Sequence, residues 1–354
     1  MTLTPKTHGD VPPSNNLFQS GFWARFKETG GLESRSFEVL HDDATFPLVA
    51  LLRPGQSGTR YAYVPDGPHV TLDDSAKGPF LEELSEELRR FLPDDIACVR
   101  YDTTFPSPYT DGEYWSASGQ WKGAPRGEIR ELRMNFGTRN HALRKSPKDH
   151  LCPDTVIVDL AGGESDILSR MRQTTRNGIR RAYKSGVTFR IREGELPSEW
   201  YRLYAETSVR KGFYREDESY FHRLFDPSLL RGDASDPAFY ALSAEKDGVL
   251  LAGVIVGSMG RRGYYLYAGS SLERRDCMPN YGLQWETIRL LRERGCVSYD
   301  LMGVPPNGDP RHSMYGLYTF KTGLGGRIEH YAGCWDYPFD PDSYSAMVNA
   351  ENLG

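Results

Sequence analysis

Little in this sequence points to a metal, a disulfide framework or a bilayer span. The five cysteines, Cys98, Cys152, Cys277, Cys296 and Cys334, are odd in number and scattered, with no C-x-x-C or Cys/His spacing of the kind a zinc site needs. No metal site is expected, and reduced, mostly buried thiols fit a cytoplasmic chain. No apolar run approaches the roughly 20 residues of a membrane span. The opening MTLTPKTHGDVPPSNN has no apolar segment of a secretion signal and reads as a loose polar lead-in. Also missing are a P-loop, a G-x-S-x-G elbow, an H-E-x-x-H helix and any Ser/His/Asp order, so the chemistries those motifs carry are not expected. His141, His150, His312 and His330 stand alone and are expected to be structural. A net charge of -5 excludes a surface that grips nucleic acid everywhere, and no DNA partner is expected, but a local basic patch is allowed.

A chain of 354 residues accommodates two domains. Its 21 tyrosines exceed what a plain core uses, and tyrosine suits sites with one apolar and one hydrogen-bonding end. Phe18, Phe22, Trp23 and Phe26 recur at helical spacing before Thr29-Gly30-Gly31, with Lys27 in the last turn. Strands are predicted over 36–40, 47–53 and 59–64. A helix follows with Phe80, Leu81, Leu84, Leu88 and Phe91 on one face, stopped by Pro93, and then a strand over 96–101 with Asp102 at its end. Residues 103–130 read as a long loop. The basic run Arg130, Arg133, Arg139, Arg144, Lys145 and Lys148 leads to Pro153, where a domain boundary is expected. A second cycle follows: a strand over 156–160, one helix over 165–184, a strand over 187–192 and helices near 200–204 and 220–225. Strands over 238–244, 249–257 and 263–270, a helix over 281–294 and a strand over 297–301 complete it. Strands, helix and strand, met twice, predict two related α/β units with mixed sheets and flanking helices.

Four features carry chemistry. In Tyr315 to Pro338 an aromatic run ends in Phe320-Lys321, a corner with Gly323, Gly325 and Gly326 follows, and then a strand-like alternation. Lys321 is expected on a shoulder beside open backbone and Phe320, as a cation that stabilises charge on a reacting oxygen; a surface lysine before a turn is the plainer alternative. From Arg170 to Arg192 there are eight basic residues and no acidic one, so Arg172, Arg176, Arg180 and Arg181 suggest an anionic partner such as a phosphate backbone. Ser208, Arg210 and Tyr214 form a candidate phosphate or carboxylate clamp, with an ion pair of Arg210 to Glu206 or Glu216 as the alternative. Tyr265 and Tyr267, two apart on a strand, are expected to share one face, with Tyr264 and Leu266 on the other. An acyl-CoA pyrophosphate loop is not found: the helix at Tyr281 is entered through Met278-Pro279-Asn280.

Together Gln19-Ser20, Phe22-Trp23 and Phe26-Lys27, the run from Met171 to Gly186, Tyr265 to Ser271, Met278 to Tyr281 with Gln284-Trp285, Tyr299 to Gly303 and Tyr315 to Gly326 resemble the FemABX family of aminoacyl-tRNA-dependent peptidyltransferases. The resemblance runs over nearly the whole chain from about Leu17. It implies two acetyltransferase-like (GNAT) domains, 1–153 with 320–354 and 154–319; the long helical arm of members that add several glycines is not expected, since nothing between Val156 and Tyr315 has the length or heptad pattern for it. It further implies transfer of an amino acid from aminoacyl-tRNA, as co-substrate and with no cofactor, to an amine of a nucleotide- or lipid-linked muramyl peptide. Lys27, Ser208, Arg210, Tyr214, Tyr265 and Tyr267 are then expected at the muramyl peptide, and Phe320 and Lys321 at the transfer site. Asp102 matches a carboxylate suggested as base, although an exposed aspartate is a weak one. Arg172, Arg176, Arg180 and Arg181 are expected near the tRNA. A monomer is expected, and association with a membrane surface is left open. An acyl-CoA N-acyltransferase and a non-enzymatic RNA-binding module are the alternatives carried forward.

Overall fold

In the computed structural model, which describes residues 1–56 and 58–353, the chain forms two compact units: Met1–Asp154 with the chain from His330 onward, and Thr155–Glu329. In the first, β1 (Thr2–Lys6), β2 (Glu33–His41), β3 (Ala44–Pro54) and β4 (Arg60–Val64) make an antiparallel meander. After α2 (Asp74–Arg89), β5 (Ile96–Pro106) lies parallel to β4, and β13 (Arg327–Pro338) closes antiparallel to β5. The predicted stripe does what its spacing requires: Phe80, Leu81, Leu84 and Leu88 of α2 are buried in one cluster with Val39, Leu48, Val64 and Val99 of the strands. The elements α1 (Gly21–Thr29), α3 (Gly127–Met134), β6 (Arg144–Lys145) and α10 (Pro341–Leu353) complete this unit.

The second unit repeats the plan. The strands β8 (Thr188–Glu193), β9 (Ala238–Lys246), β10 (Val249–Met259) and β11 (Arg262–Ser270) form the antiparallel meander. The crossover helix α8 (Pro279–Glu293) leads to β12 (Ser298–Gly303), parallel to β11, and β7 (Asp154–Asp159) closes antiparallel to β12. Meander, crossover helix, parallel strand and antiparallel closure thus occur twice, the acetyltransferase-like architecture expected from the sequence. Its other helices are α4 (Glu164–Arg170), α5 (Gln173–Lys184), α6 (Trp200–Lys211), α7 (Glu218–Leu224) and α9 (Tyr315–Gly323). Among the described helices the longest is α2, with 16 residues, so there is no helical arm, and none is long and apolar enough to cross a membrane. Four of the five thiols are buried; Cys152 is exposed.

Three expectations are corrected. The polar lead-in is in part a strand: β1 buries little but Leu3, and its backbone pairing with β2 from Thr2↔Leu40 to Lys6↔Ser36 holds it. The single helix over 165–184 is two, because Met171 and Arg172 take extended ψ values of 149° and 147°. One distant and one local partner satisfy the break. The Arg172 N–H donates to the Gly323 carbonyl at 2.9 Å, and the Arg176 guanidinium donates to the carbonyls of Met171 at 2.5 Å and Leu168 at 3.3 Å at the end of α4. Finally, residues 320–329, expected with the first unit, fall in the second, and the chain re-enters the first only at His330.

Candidate active site

Lys321 lies on the last turn of α9, and the structure removes it from the exposed shoulder. The residue is 5% exposed. Its ammonium donates to the carbonyls of Gly303 at 2.6 Å and Met302 at 3.3 Å and stands 5.4 Å from the centre of the Tyr265 ring. Those carbonyls are aimed by the end of β12, where Met302 adopts a left-handed φ of 58°. Asp300 holds that turn: Oδ1 accepts the Met302 N–H at 2.7 Å and the Thr155 hydroxyl, while Oδ2 pairs with Arg262 at 2.5 Å. The Tyr299-to-Gly303 motif thus builds the seat of the lysine. Phe320 faces elsewhere, edge-on to Tyr281 at 5.1 Å. The glycine corner makes close approaches, as its sequence implied, but to the chain itself. A Cβ at Gly323 would lie 2.6 Å from Thr175 Oγ1, and Gly325, at φ 84°, sits against the Arg170 carbonyl.

This corner joins the lysine helix to the basic helix. Thr175 is buried at the start of α5, whereas Arg172, Arg180 and Arg181 are exposed. Arg180 donates to Asn177 Oδ1 at 3.0 Å, and Arg181 approaches Asp276 only to 3.9 Å. Arg176, expected at the tRNA, spends its guanidinium on α4 carbonyls and Gln173. The cationic face is therefore narrower than the sequence suggests.

Tyr265 and Tyr267 do not share a face. Tyr265 is opposite Val256 and Tyr267 opposite its neighbour Ile255, so Leu266 is the extra residue of a β-bulge, which breaks the period of two. Tyr265 packs with Val254, Val256 and Leu291 in the α8 cluster, on the side of Lys321. Tyr267 points to the opposite side, edge-on to Phe221 at 5.0 Å and Tyr204 at 6.2 Å, its hydroxyl 2.7 Å from that of Tyr220. Burial raises the pKa of both phenols. On this second side Arg210 donates to the Ser270 carbonyl at 2.7 Å and pairs with neither Glu206 nor Glu216. Ser208 is buried and donates back to the Ala205 carbonyl at 2.9 Å, while Tyr214 is 82% exposed. Sequence reasoning missed Thr207, which bonds the Ser270 N–H at 2.9 Å, and Tyr220; neither carried a signal beyond helical spacing.

In the first unit, Lys27 stands over the rings of Trp23 at 4.7 Å and Phe26 at 5.1 Å, on the last turn of α1. Asp102 is not an exposed weak base; it is 4% exposed. Its Oδ2 accepts the Tyr63 hydroxyl and the Leu151 N–H at 2.9 Å, and Oδ1 has no partner within hydrogen-bond geometry. Desolvation raises its pKa above 3.8, against the lowering effect of those donors. A raised value means that folding disfavours the carboxylate. The stability linked to this group is present below the ordinary pKa and is lost as pH rises through the raised one. Asp102→Asn should thus be at least as stable as the parent at pH 7 and lose less stability between pH 4 and pH 8. Urea midpoints across that range check this, and a variant less stable at every pH would contradict it. His330, expected to be structural, pairs with Asp154 at 2.6 Å and stacks on Trp121 at 3.9 Å.

Comparison with known proteins gives the family. The model of the FemAB family matches residues 4–227 and 239–352. The chain belongs to the FemAB family. It is 23% identical to a lipid II:glycine glycyltransferase of Staphylococcus saprophyticus, over 99% of this chain and 95% of that protein. It is 24% identical to the enzyme of the same name from Staphylococcus haemolyticus, over 98% and 94%. The first alignment runs over 418 positions, more than the 354 residues here, so that relative carries insertions this FemAB chain lacks. Among solved structures, a crystal structure of FemX superposes with a TM-score of 0.71 over 98% of this chain and all of that one, at 18% identity. As a FemAB-family member the chain is a tRNA-dependent aminoacyltransferase that adds amino acids to peptidoglycan precursors for the interpeptide bridge.

Proposed function

We propose that this FemAB chain adds one amino acid per acceptor, from the 3′ ester of aminoacyl-tRNA to an amine of a muramyl stem peptide, with Lys321 at the transfer centre. The observation that carries this reading is the coupling of α9 to α5: the seated ammonium of Lys321 and the exposed Arg172, Arg180 and Arg181 belong to helices that meet at Gly323 and Thr175. An aminoacyl ester is already activated, so the enzyme has to orient the reactants and stabilise charge. The neutral amine attacks the ester carbonyl, the C–N bond forms, and the C–O bond to the ribose breaks. The proton lost by the amine goes to the departing ribose oxygen. The ammonium stabilises the oxyanion between these steps. The missing arm supports addition of a single residue. Against an acyl-CoA reaction stands Pro279 at the first turn of α8, which removes an N–H donor where a pyrophosphate would be cradled.

Purified protein, charged tRNA and a muramyl-pentapeptide nucleotide should give a product heavier by one amino-acid residue, and RNase pretreatment should abolish it. Formation of the same product from free amino acid and ATP without tRNA would overturn the reading. Within the proposal Arg210 and Tyr214 hold the acceptor. Tyr214→Ala and Arg210→Ala should raise the KM for the acceptor by about tenfold or more with kcat little changed, as for loss of binding shared by ground and transition states. Because Tyr214 is so exposed, its variant should keep the parental melting temperature. Unchanged KM in both variants would remove this side of β11 from the acceptor site.

A further inference from the structure

The basic run between Lys122 and Lys148 has no part in the transfer described above. It holds eight Lys or Arg and two acidic residues, Glu128 and Glu131. Its middle forms α3 and the turn after it, and there large apolar side chains face water: Ile129 is 48% exposed, Leu132 76% and Phe136 72%. Spacings of three and four residues put them on one side of the helix and its trailing turn. Arg126, Arg133 and Arg139 are exposed beside them. Apolar side chains ringed by cations suit the boundary between lipid headgroups and acyl chains, and nucleic acid offers no such apolar layer.

A small, shallow cleft adjoins the same helix, lined by Lys77, Tyr109, Arg130, Arg133, Met134 and Trp335 among others. It holds more positive charge than it balances. Lys77 and Arg133 share one carboxylate, Asp74, at 2.5 and 2.9 Å. Arg130 donates to the Ala332 carbonyl at 2.5 Å and lies 5.9 Å from the centre of the Trp335 ring, and no carboxylate among the described residues forms an ion pair with it. Burial lowers its pKa, as for a cation with too little compensation. The Tyr109 residue is 5% exposed and its hydroxyl has no hydrogen-bond partner. Three cations share one directly paired carboxylate, with Asp149 and Asp154 acting on Arg130 only from a distance, and the buried Tyr109 hydroxyl stands beside them; the balance favours an anion. Arg133, half-exposed, belongs both to this lining and to the exposed face of α3.

We propose that α3 and its following turn dock this protein on an anionic bilayer surface. Ile129, Leu132 and Phe136 enter the headgroup layer, and one lipid phosphate sits against Lys77, Arg130, Arg133 and the Tyr109 hydroxyl. The full chain should sediment with vesicles of phosphatidylcholine and phosphatidylglycerol and much less with phosphatidylcholine alone. Binding should weaken as salt rises. The double variant Leu132→Ser, Phe136→Ser should bind the anionic vesicles about tenfold less or weaker, from the loss of inserted apolar area. Its turnover on a soluble, nucleotide-linked acceptor should match the parent's, which shows that it is folded and keeps this test separate from the transfer reading. Arg130→Gln with Tyr109→Phe should erase the preference for phosphatidylglycerol. Equal sedimentation with both vesicle types, or binding indifferent to these variants, would overturn the proposal. So would variants that lose retention of tRNA while keeping the vesicles, because the face would then serve RNA. If inorganic phosphate stabilises the parent but not the Arg130→Gln, Tyr109→Phe variant, and the parent binds no vesicles, the cleft takes a free anion and the docking reading fails.

Discussion

Lys321→Ala should lower kcat by about 10² to 10³, the range for removal of a single oxyanion-stabilising group, while acceptor KM stays near the parental value. The reason is timing: a cation that meets negative charge only as the tetrahedral centre forms contributes to the transition state and little to binding. Because the side chain is 95% buried, alanine also opens a cavity beside Tyr265, so Lys321→Met is the better partner variant. It keeps most of the aliphatic volume and removes the charge. Both variants should show the same loss in single-turnover assays with charged tRNA, and Lys321→Met should keep the parental circular dichroism spectrum. Full activity in Lys321→Met would make the contact with Met302 and Gly303 purely structural.

The largest stability effect is expected far from that lysine, at Arg100. Its side chain is wholly buried and forms a bidentate pair with Asp336 at 2.7 and 2.8 Å and a second with Glu351 at 2.7 and 3.0 Å. Tyr344 adds its hydroxyl to Asp336 at 3.0 Å. Asp336→Ala leaves a buried guanidinium with one carboxylate where it had two, and should cost about 3–5 kcal/mol in urea unfolding, the usual result of breaking a buried ion pair from one side. Replacing the whole group by apolar residues, Arg100→Met with Asp336→Leu and Glu351→Leu, should recover much of that loss, since no uncompensated charge is left. A loss under 1 kcal/mol in Asp336→Ala would mean that water reaches the guanidinium in the folded protein.

Much of the architecture was legible because it rests on local periodicity. The stripe from Phe80 to Leu88 specifies α2 at 3.6 residues per turn, and the strands of both meanders other than β1 follow from alternation and turn residues. The order in which strands and helices recur is enough to suggest a duplicated plan, and the ordered motifs from Gln19 to Gly326 are enough to identify the family. Charge density likewise singled out both the α5 face and the run around α3, although it could not say which arginines stay in solvent.

What depended on tertiary structure turns on partners distant in the chain. Arg100, Asp336 and Glu351 show no pattern in sequence, because a buried ion pair is defined by meeting across 236 and 251 residues. The break between α4 and α5 interrupts a stretch whose own spacing fits one helix, and it is satisfied by the Gly323 carbonyl and by Arg176 folding back. The opposite faces of Tyr265 and Tyr267 come from a bulge in the pairing of β10 with β11, a property of register between strands that neither strand states alone. Lys321 and Asp102 were singled out in the sequence as candidates, but their burial was decided elsewhere, by the turn that Asp300 holds and by Tyr63 and Leu151. Sequence fixes periodicity and charge along the chain; desolvation depends on what packs from outside it, and it is desolvation that sets what a buried charge can do.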